Sequence, residues 1–170
     1  MPLAGGRPQT SFVDASQAKY FSALLGSSAE DLRIALTVLS GRAELYVGDD
    51  LARLPLANDS STYRYTTHGR ERGGGSSSLV IPGPHRHRTR FAIGVVGLED
   101  GTVFSISASF SQQPILLQEG VPLQQTVSAG RNEFFVYRIN SNEDITVTVT
   151  ALQGGGCVMG GERERGCCID

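Results

Sequence analysis

The stretch DLRIALTVLSGRAELYV, Asp31 to Val47, decides the fold. Leu32, Ile34, Leu36 and Val38 alternate with Arg33, Ala35 and Thr37. A period of two sends one set to one face of a strand and the other set to the opposite face, so the segment reads as a half-buried strand. The alternation runs out at Gly41, and Ala43 to Val47 then starts a second strand after a turn.

The same arrangement recurs at DITVTVTALQGGGCVMG, Asp144 to Gly160. An acidic pair precedes each copy: Glu30 and Asp31, then Glu143 and Asp144. Ile145, Val147, Val149 and Ala151 repeat the apolar set, Thr146, Thr148 and Thr150 the polar one, and Gly154 stands where the first copy has Gly41. Upstream, the turn and aromatic strand of SFVDASQAKYFSALL (Ser11 to Leu25) are echoed by TVSAGRNEFFVYRI (Thr126 to Ile139). Two strand pairs matching in order and spacing point to an internal duplication.

Between the copies the chain reads as short strands and turns. GDDLARLPLA and Asn58-Asp59-Ser60 are rich in turn formers, and Thr62 to Thr66 alternates as a short strand. His68 to Ser78, HGRERGGGSSS, reads as a loop, and Leu79 to Ile81 as a strand closed by Pro82-Gly83-Pro84. Phe91, Ile93 and Val95 alternate in one strand, and Phe104, Ile106, Ala108 and Phe110 in the next. GLEDG, Gly97 to Gly101, joins these two as a hairpin loop. No segment between 10 and 156 has a helical period. The expected fold is all-β, an antiparallel β-sandwich of jelly-roll or Ig-like type followed by a partial second sandwich. The expected boundaries are a linker at 1–10, the sandwich at 11–110, a connector at 111–120, the first half of a second unit at 121–161 and a tail at 162–170. Half a sandwich has open edges, so either the chain is cut from a longer array or a neighbouring chain completes it.

Composition narrows the function classes. The chain has 170 residues, enough for one complete core. A net charge of −2 gives no long-range attraction for nucleic acid or an anionic membrane surface. No run of about 18 apolar residues is present to span a bilayer, and the opening MPLAGGRPQTS lacks the pattern of a secretory leader. Cysteine occurs only as Cys157, Cys167 and Cys168, so the first 156 residues build their core without a disulfide or thiolate metal site.

Several of these residues resemble a known family. Tyr20-Phe21, Gly41-Arg42-Ala43-Glu44-Leu45-Tyr46-Val47, Tyr63-Arg64-Tyr65, Ser78-Leu79-Val80-Ile81 and the 91–110 hairpin are similar, in order, to the pattern of the bacterial pre-peptidase C-terminal domain. Glu44 stands where that pattern usually has Asp, and Cys157-Val158-Met159 in the second copy lacks both the acid and the aromatic. The resemblance covers about 100 residues fully and about 40 in part, across the stretches quoted above. It implies a non-catalytic β-sandwich appendage of a secreted protease or surface protein, of a kind that in some members binds matrix polymers and in some Ca²⁺.

Among candidate site residues, the densest charge is His85-Arg86-His87-Arg88-Thr89-Arg90. Its simplest reading is a solvated turn. As a site, His85, Arg86, His87, Arg88 and Arg90 would form a patch for a sulfated or carboxylated glycan or an acidic protein, held by Arg hydrogen bonds. His85 and His87, with His68, are ligand types for Zn²⁺ or Cu²⁺, but their spacing matches no metal motif and no metal site is assigned. Asp49, Asp50, Asp59, Glu99 and Asp100 offer oxygens for Ca²⁺ without a calcium-loop spacing, and loop solubility explains them more simply. Glu44 is expected to hold its turn through backbone N–H groups. Asn58 begins an N-x-S sequon in a loop and is a glycosylation candidate. Cys157, Cys167 and Cys168 are disulfide candidates, with the pairing open.

No nucleophile elbow, HExxH, carboxylate pair or Cys/His dyad can be assembled, so no enzyme activity and no cofactor are expected. The expected role is an extracellular or cell-surface structural or adhesive module of a tandem-repeat protein, whose partner is a matrix or surface protein or polysaccharide. Two alternatives stand beside it. One is an assembly subunit whose incomplete second sandwich is completed by another chain; the other is the C-terminal appendage of a secreted hydrolase.

Overall fold

The computed structural model describes residues 1–26, 30–68, 76–85, 89–110, 113–127, 129–130, 132–139, 144–152, 154–159 and 166–169. They form two compact units, Met1–Arg138 and Ile139–Asp170. Every regular element among the described residues is a strand.

The first unit is an antiparallel β-sandwich. One sheet has the order β1-β8-β3-β6, from β1 (Gln9–Val13), β8 (Thr102–Phe110), β3 (Leu32–Ser40) and β6 (Ser77–Ile81). The other has the order β2-β7-β4-β5, from β2 (Ala18–Leu24), β7 (Arg90–Gly97), β4 (Ala43–Gly48) and β5 (Tyr65–Thr66). The alternation in 31–47 does what its period demands. Leu32, Ile34 and Leu36 are fully buried in the core with Leu45 and Val47, and they meet Phe21, Ile93, Val95, Phe104 and Ile106. Phe21 of one sheet touches Phe104 of the other edge to face, with ring centroids 6.1 Å apart. Such a pair adds about 0.5–1.5 kcal/mol beyond its buried area.

The turn between β3 and β4 depends on its glycine. The register slips between Val38 and Ser40, a bulge that ends the ladder with β8. Gly41 then takes φ +78°, and a Cβ there would collide with Thr102. Thr102, itself fully buried, fastens the turn by accepting from the Arg42 amide at 3.2 Å and donating to the Glu99 carbonyl at 2.7 Å.

Three expectations change at this level. First, residues 1–10 are part of the sandwich. Leu3 is buried, the Leu3 amide donates to the Ser22 carbonyl at 2.8 Å, and Gln9 and Thr10 already pair with Ile106 and Ser105. Second, the sandwich runs well past Phe110. Five outward residues of its first sheet, Ala35, Thr37, Ser105, Ser107 and Ser109, are buried although they face away from the core. The chain after β8 crosses this face. The Gln124 amide donates to Thr37 Oγ1 at 3.0 Å, Ser78 Oγ donates to Thr126 Oγ1 at 2.8 Å, and Arg33 pairs with Glu133. β9 (Ile115–Leu116) and β10 (Phe135–Val136) pair in parallel, and Ile115 is fully buried. The segment read as a connector plus the opening strand of a second sandwich is therefore a strap on the first. Small outward side chains on β3 and β8 let this backbone approach closely.

Third, Asp144–Ala151 forms no strand. These residues have no regular secondary structure, and all of them are exposed. A strand needs a ladder partner, and among the described residues this segment has none. Among the described residues, the second unit's regular structure is the antiparallel pair β11 (Gly156–Met159) and β12 (Gly166–Ile169). Their backbone register sets Cys157 opposite Cys168 and Val158 opposite Cys167.

Candidate functional site

Five aspartates of the sandwich share one task. Asp14 Oδ1 accepts from the Gly101 amide at 3.0 Å, and Asp100 Oδ1 accepts from the Ala15 amide at 3.0 Å. This reciprocal pair ties the turn after β1 to the turn before β8. Asp31 Oδ1 accepts from the Gly83 amide at 2.9 Å, Asp50 Oδ1 from the Ala52 amide at 2.8 Å and Asp59 Oδ1 from the Ser61 amide at 3.0 Å. Each carboxylate thus satisfies a loop N–H that has no ladder partner. Asp49 lies 3.7 Å from Arg64, and Glu99 3.9 Å from Arg42. The acids considered for Ca²⁺ are spread over separate turns, and among the described residues no group of three or more His, Cys, Asp or Glu is placed to hold a metal.

The basic cluster divides. Arg86, His87 and Arg88 lie outside the described residues. Arg90 is exposed at the start of β7. His85 is 9% exposed, with Nε2 donating to the Glu30 carbonyl at 2.7 Å and its ring edge to face with Phe91 at 5.1 Å. Together with Asp31 on Gly83, this bond clamps the turn leaving β6 onto the entry to β3. His85 therefore serves the turn and is not available to a surface patch. The acidic pair that opens the 31–47 motif supplies both acceptors, Glu30 through its backbone and Asp31 through its side chain.

Glu44 takes a role different from the backbone clasp expected of it. It points outward from β4, where Oε2 accepts from the Tyr46 hydroxyl at 2.7 Å and Oε1 accepts from His68 Nδ1 at 2.8 Å. Tyr46 is 3% exposed and meets Tyr63 edge to face at 4.9 Å. Burial, then the Glu44 carboxylate that accepts its proton, holds the Tyr46 phenol far above its ordinary value of 10.0. Tyr46 donates to Glu44, and the group is a structural knot of β4 with the segments on either side of β5. His68, considered as a metal ligand beside His85, is committed to Glu44 instead. Periodicity placed Glu44 on the outer face; only the fold could bring His68 to it.

Asn58 is exposed in the turn that the Asp59 amide closes onto the Leu56 carbonyl at 3.1 Å. An open groove of about 580 Å³ is lined by Phe12, Asp14, Ala15, Gln17, Lys19 and Asp100. Its two carboxylates are those of the reciprocal turn clasp, and Lys19 Nζ sits 4.7 Å over the Phe12 ring. Its polar groups hold the groove's own walls.

Fold and side chains together define a β-sandwich module in which five aspartates fasten turns. No family model and no curated protein matches the chain. Among solved structures it is similar to the 1.0 Å crystal structure of the pre-peptidase C-terminal domain of collagenase from Bacillus anthracis. The two are 11% identical with a TM-score of 0.38, over 64% of this chain and 98% of that one. That is the class of domain the motifs between Ser40 and Ser107 resemble, but a likeness this distant assigns no activity.

Proposed function

We propose that this chain is a non-catalytic structural or adhesive module that works outside the cell. The observation that carries the reading is the uniform use of Asp14, Asp31, Asp50, Asp59 and Asp100 as clasps on backbone amides of turns. Carboxylates committed to loop geometry make a stiff scaffold with fixed loops, as a spacer or polymer-binding module requires. The exposed Asn58 sequon suits an extracellular setting. The partner on this reading is a matrix polysaccharide or fibrous protein. Co-sedimentation with insoluble polysaccharides and fibrous proteins tests it: retention on a polymer without release of soluble fragments is expected. Fragment release overturns the non-catalytic part, and failure to bind any polymer overturns the adhesive part.

A second reading, an assembly subunit, is favoured by one observation. Asp144–Leu152 is exposed along its whole length despite its β-type alternation. Such a segment is a strand waiting for a sheet.

A further inference from the structure

We propose that copies of this chain associate by antiparallel self-pairing of Ile145–Ala151, with Thr148 on the two-fold axis. The inference rests on the assembly reading above and names its partner as a second copy of the same segment.

Ile145-Thr-Val-Thr-Val-Thr-Ala151 contains no charge, proline or glycine, and six of its seven residues are β-branched. That is the composition with the highest strand preference and the signature of segments that pair with themselves. Its apolar members Ile145, Val147 and Val149 are 47%, 58% and 47% exposed. In this state the segment leaves its apolar side chains to water.

The sequence is also nearly symmetric about Thr148. Antiparallel pairing centred there sets Ile145 opposite Ala151, Thr146 opposite Thr150 and Val147 opposite Val149. Every apolar side chain then faces an apolar one on one side of the ribbon, and every threonine a threonine on the other. Both cross-strand combinations are favourable. A two-fold pairing is isologous, so one patch serves both partners.

Charge selects the direction. Parallel, in-register pairing would stack Asp144 on its own copy, whereas the antiparallel register sets Asp144 beside the uncharged Leu152. Because an isolated two-stranded ribbon is marginal in water, the ribbons are expected to stack through their Ile/Val faces, and association grows with concentration.

The test uses the full chain. Sedimentation velocity from the micromolar to the millimolar range should show concentration-dependent association. Thr148→Pro fixes φ near −65°, away from the extended strand, and deletes the N–H at the centre of the pairing without removing apolar surface, and should raise the midpoint concentration at least about tenfold. All five tyrosines lie in Met1–Arg138, so an unchanged tyrosine-monitored unfolding midpoint shows that the variant is folded. For register, Cys157, Cys167 and Cys168 are replaced by serine and Thr148→Cys is oxidised with glutathione disulfide. Two thiols on two chains form one disulfide, and the oxidant leaves as two glutathione thiols. Residues facing each other across an antiparallel ladder are about 4.5–5.5 Å apart between Cα atoms, within disulfide reach. Thr146→Cys is the control, because its own copy lies about four residues, or about 13 Å, along the ribbon.

Loss of association in Thr148→Pro with rapid cross-linking at 148 and little at 146 is the expected result. Association that persists in Thr148→Pro overturns self-pairing and leaves the assembly reading standing. Equal cross-linking at 146 and 148 overturns the register. A monomer at every concentration overturns the inference and the assembly reading together.

Discussion

Ile115→Ala separates a strap that belongs to the sandwich from a connector that rests on it. Ile115 is fully buried, although it lies beyond the last long strand in a stretch that reads as a linker. The substitution deletes three carbons. At about 0.8 kcal/mol per methylene, the lost transfer energy is about 2.4 kcal/mol. The residual cavity adds to that, placing the total at about 3–4 kcal/mol, within the usual range for Ile→Ala in cores. With a urea dependence of about 2 kcal/mol per molar, suitable for a domain of this size, the unfolding midpoint should fall by about 1.5–2 M. The chain has no tryptophan and five tyrosines, all within the sandwich unit, so tyrosine fluorescence reports this transition. Leu54→Ala, at a position 47% exposed, is the matched control and should change stability by no more than about 0.5 kcal/mol. If Ile115→Ala behaved like Leu54→Ala, the strap would be a draped connector and the sandwich would end near Phe110.

Other outcomes follow from individual contacts. Gly41→Ala forces a side chain onto φ +78° and against buried Thr102, and should cost about 2–3 kcal/mol in the same urea assay; a neutral effect would mean that the bulged turn rearranges freely. Tyr46 should ionise well above its ordinary value in an alkaline ultraviolet titration, and Glu44→Gln should lower its midpoint only part of the way, because burial is the larger cause. The unfolded phenol loses its proton near 10 while the folded one holds it, so Tyr46 makes stability fall as pH rises past that value. The Asp59 carboxyl is held below its ordinary value by the Ser61 hydroxyl first and the Ser61 amide second. Ser61→Ala should therefore raise its midpoint in a carbon-detected NMR titration, and an unmoved midpoint would remove the hydroxyl as the cause. Limited proteolysis with mass spectrometry should leave a fragment extending to about Arg138, in line with the observed unit; a stable core ending near 110 would restore the shorter boundary.

The core was legible because its signal is local. Leu32, Ile34 and Leu36, then Leu45 and Val47, declare their face by alternation, and so do Phe91 to Val95 and Phe104 to Ala108. The 97–101 loop nevertheless crosses from one sheet to the other and closes no hairpin, because β7 pairs with β2 and β4, and β8 with β1 and β3. The strap was not, because what recruits it is the absence of bulk: Ala35, Thr37, Ser105, Ser107 and Ser109 look like a solvent face in sequence and are buried in the fold. A run of small outward residues on adjacent strands is the one signal that could have revealed a second layer. His85 shows the same difficulty for sites. Embedded in a run of arginines it reads as surface charge, and its acceptor, the Glu30 carbonyl, lies fifty-five residues away in a backbone atom that no side-chain pattern marks.

The two copies of the alternating motif show why pattern alone does not make a strand. Asp31 to Val38 and Asp144 to Ala151 share the acid, the period and the apolar set, yet only the first is a strand. Leu32 to Leu36 has ladders on both sides, to β6 and β8, and its entry is pinned by Asp31 on Gly83 and by His85 on Glu30. Asp144 to Ala151 carries a still higher strand preference and has neither neighbour among the described residues. Alternation sets which face would be buried, while the ladder decides whether anything is buried at all. A segment with the first property and, among the described residues, without the second keeps its apolar stripe exposed for another chain. Thr148, at the centre of its symmetry, is where that pairing should close.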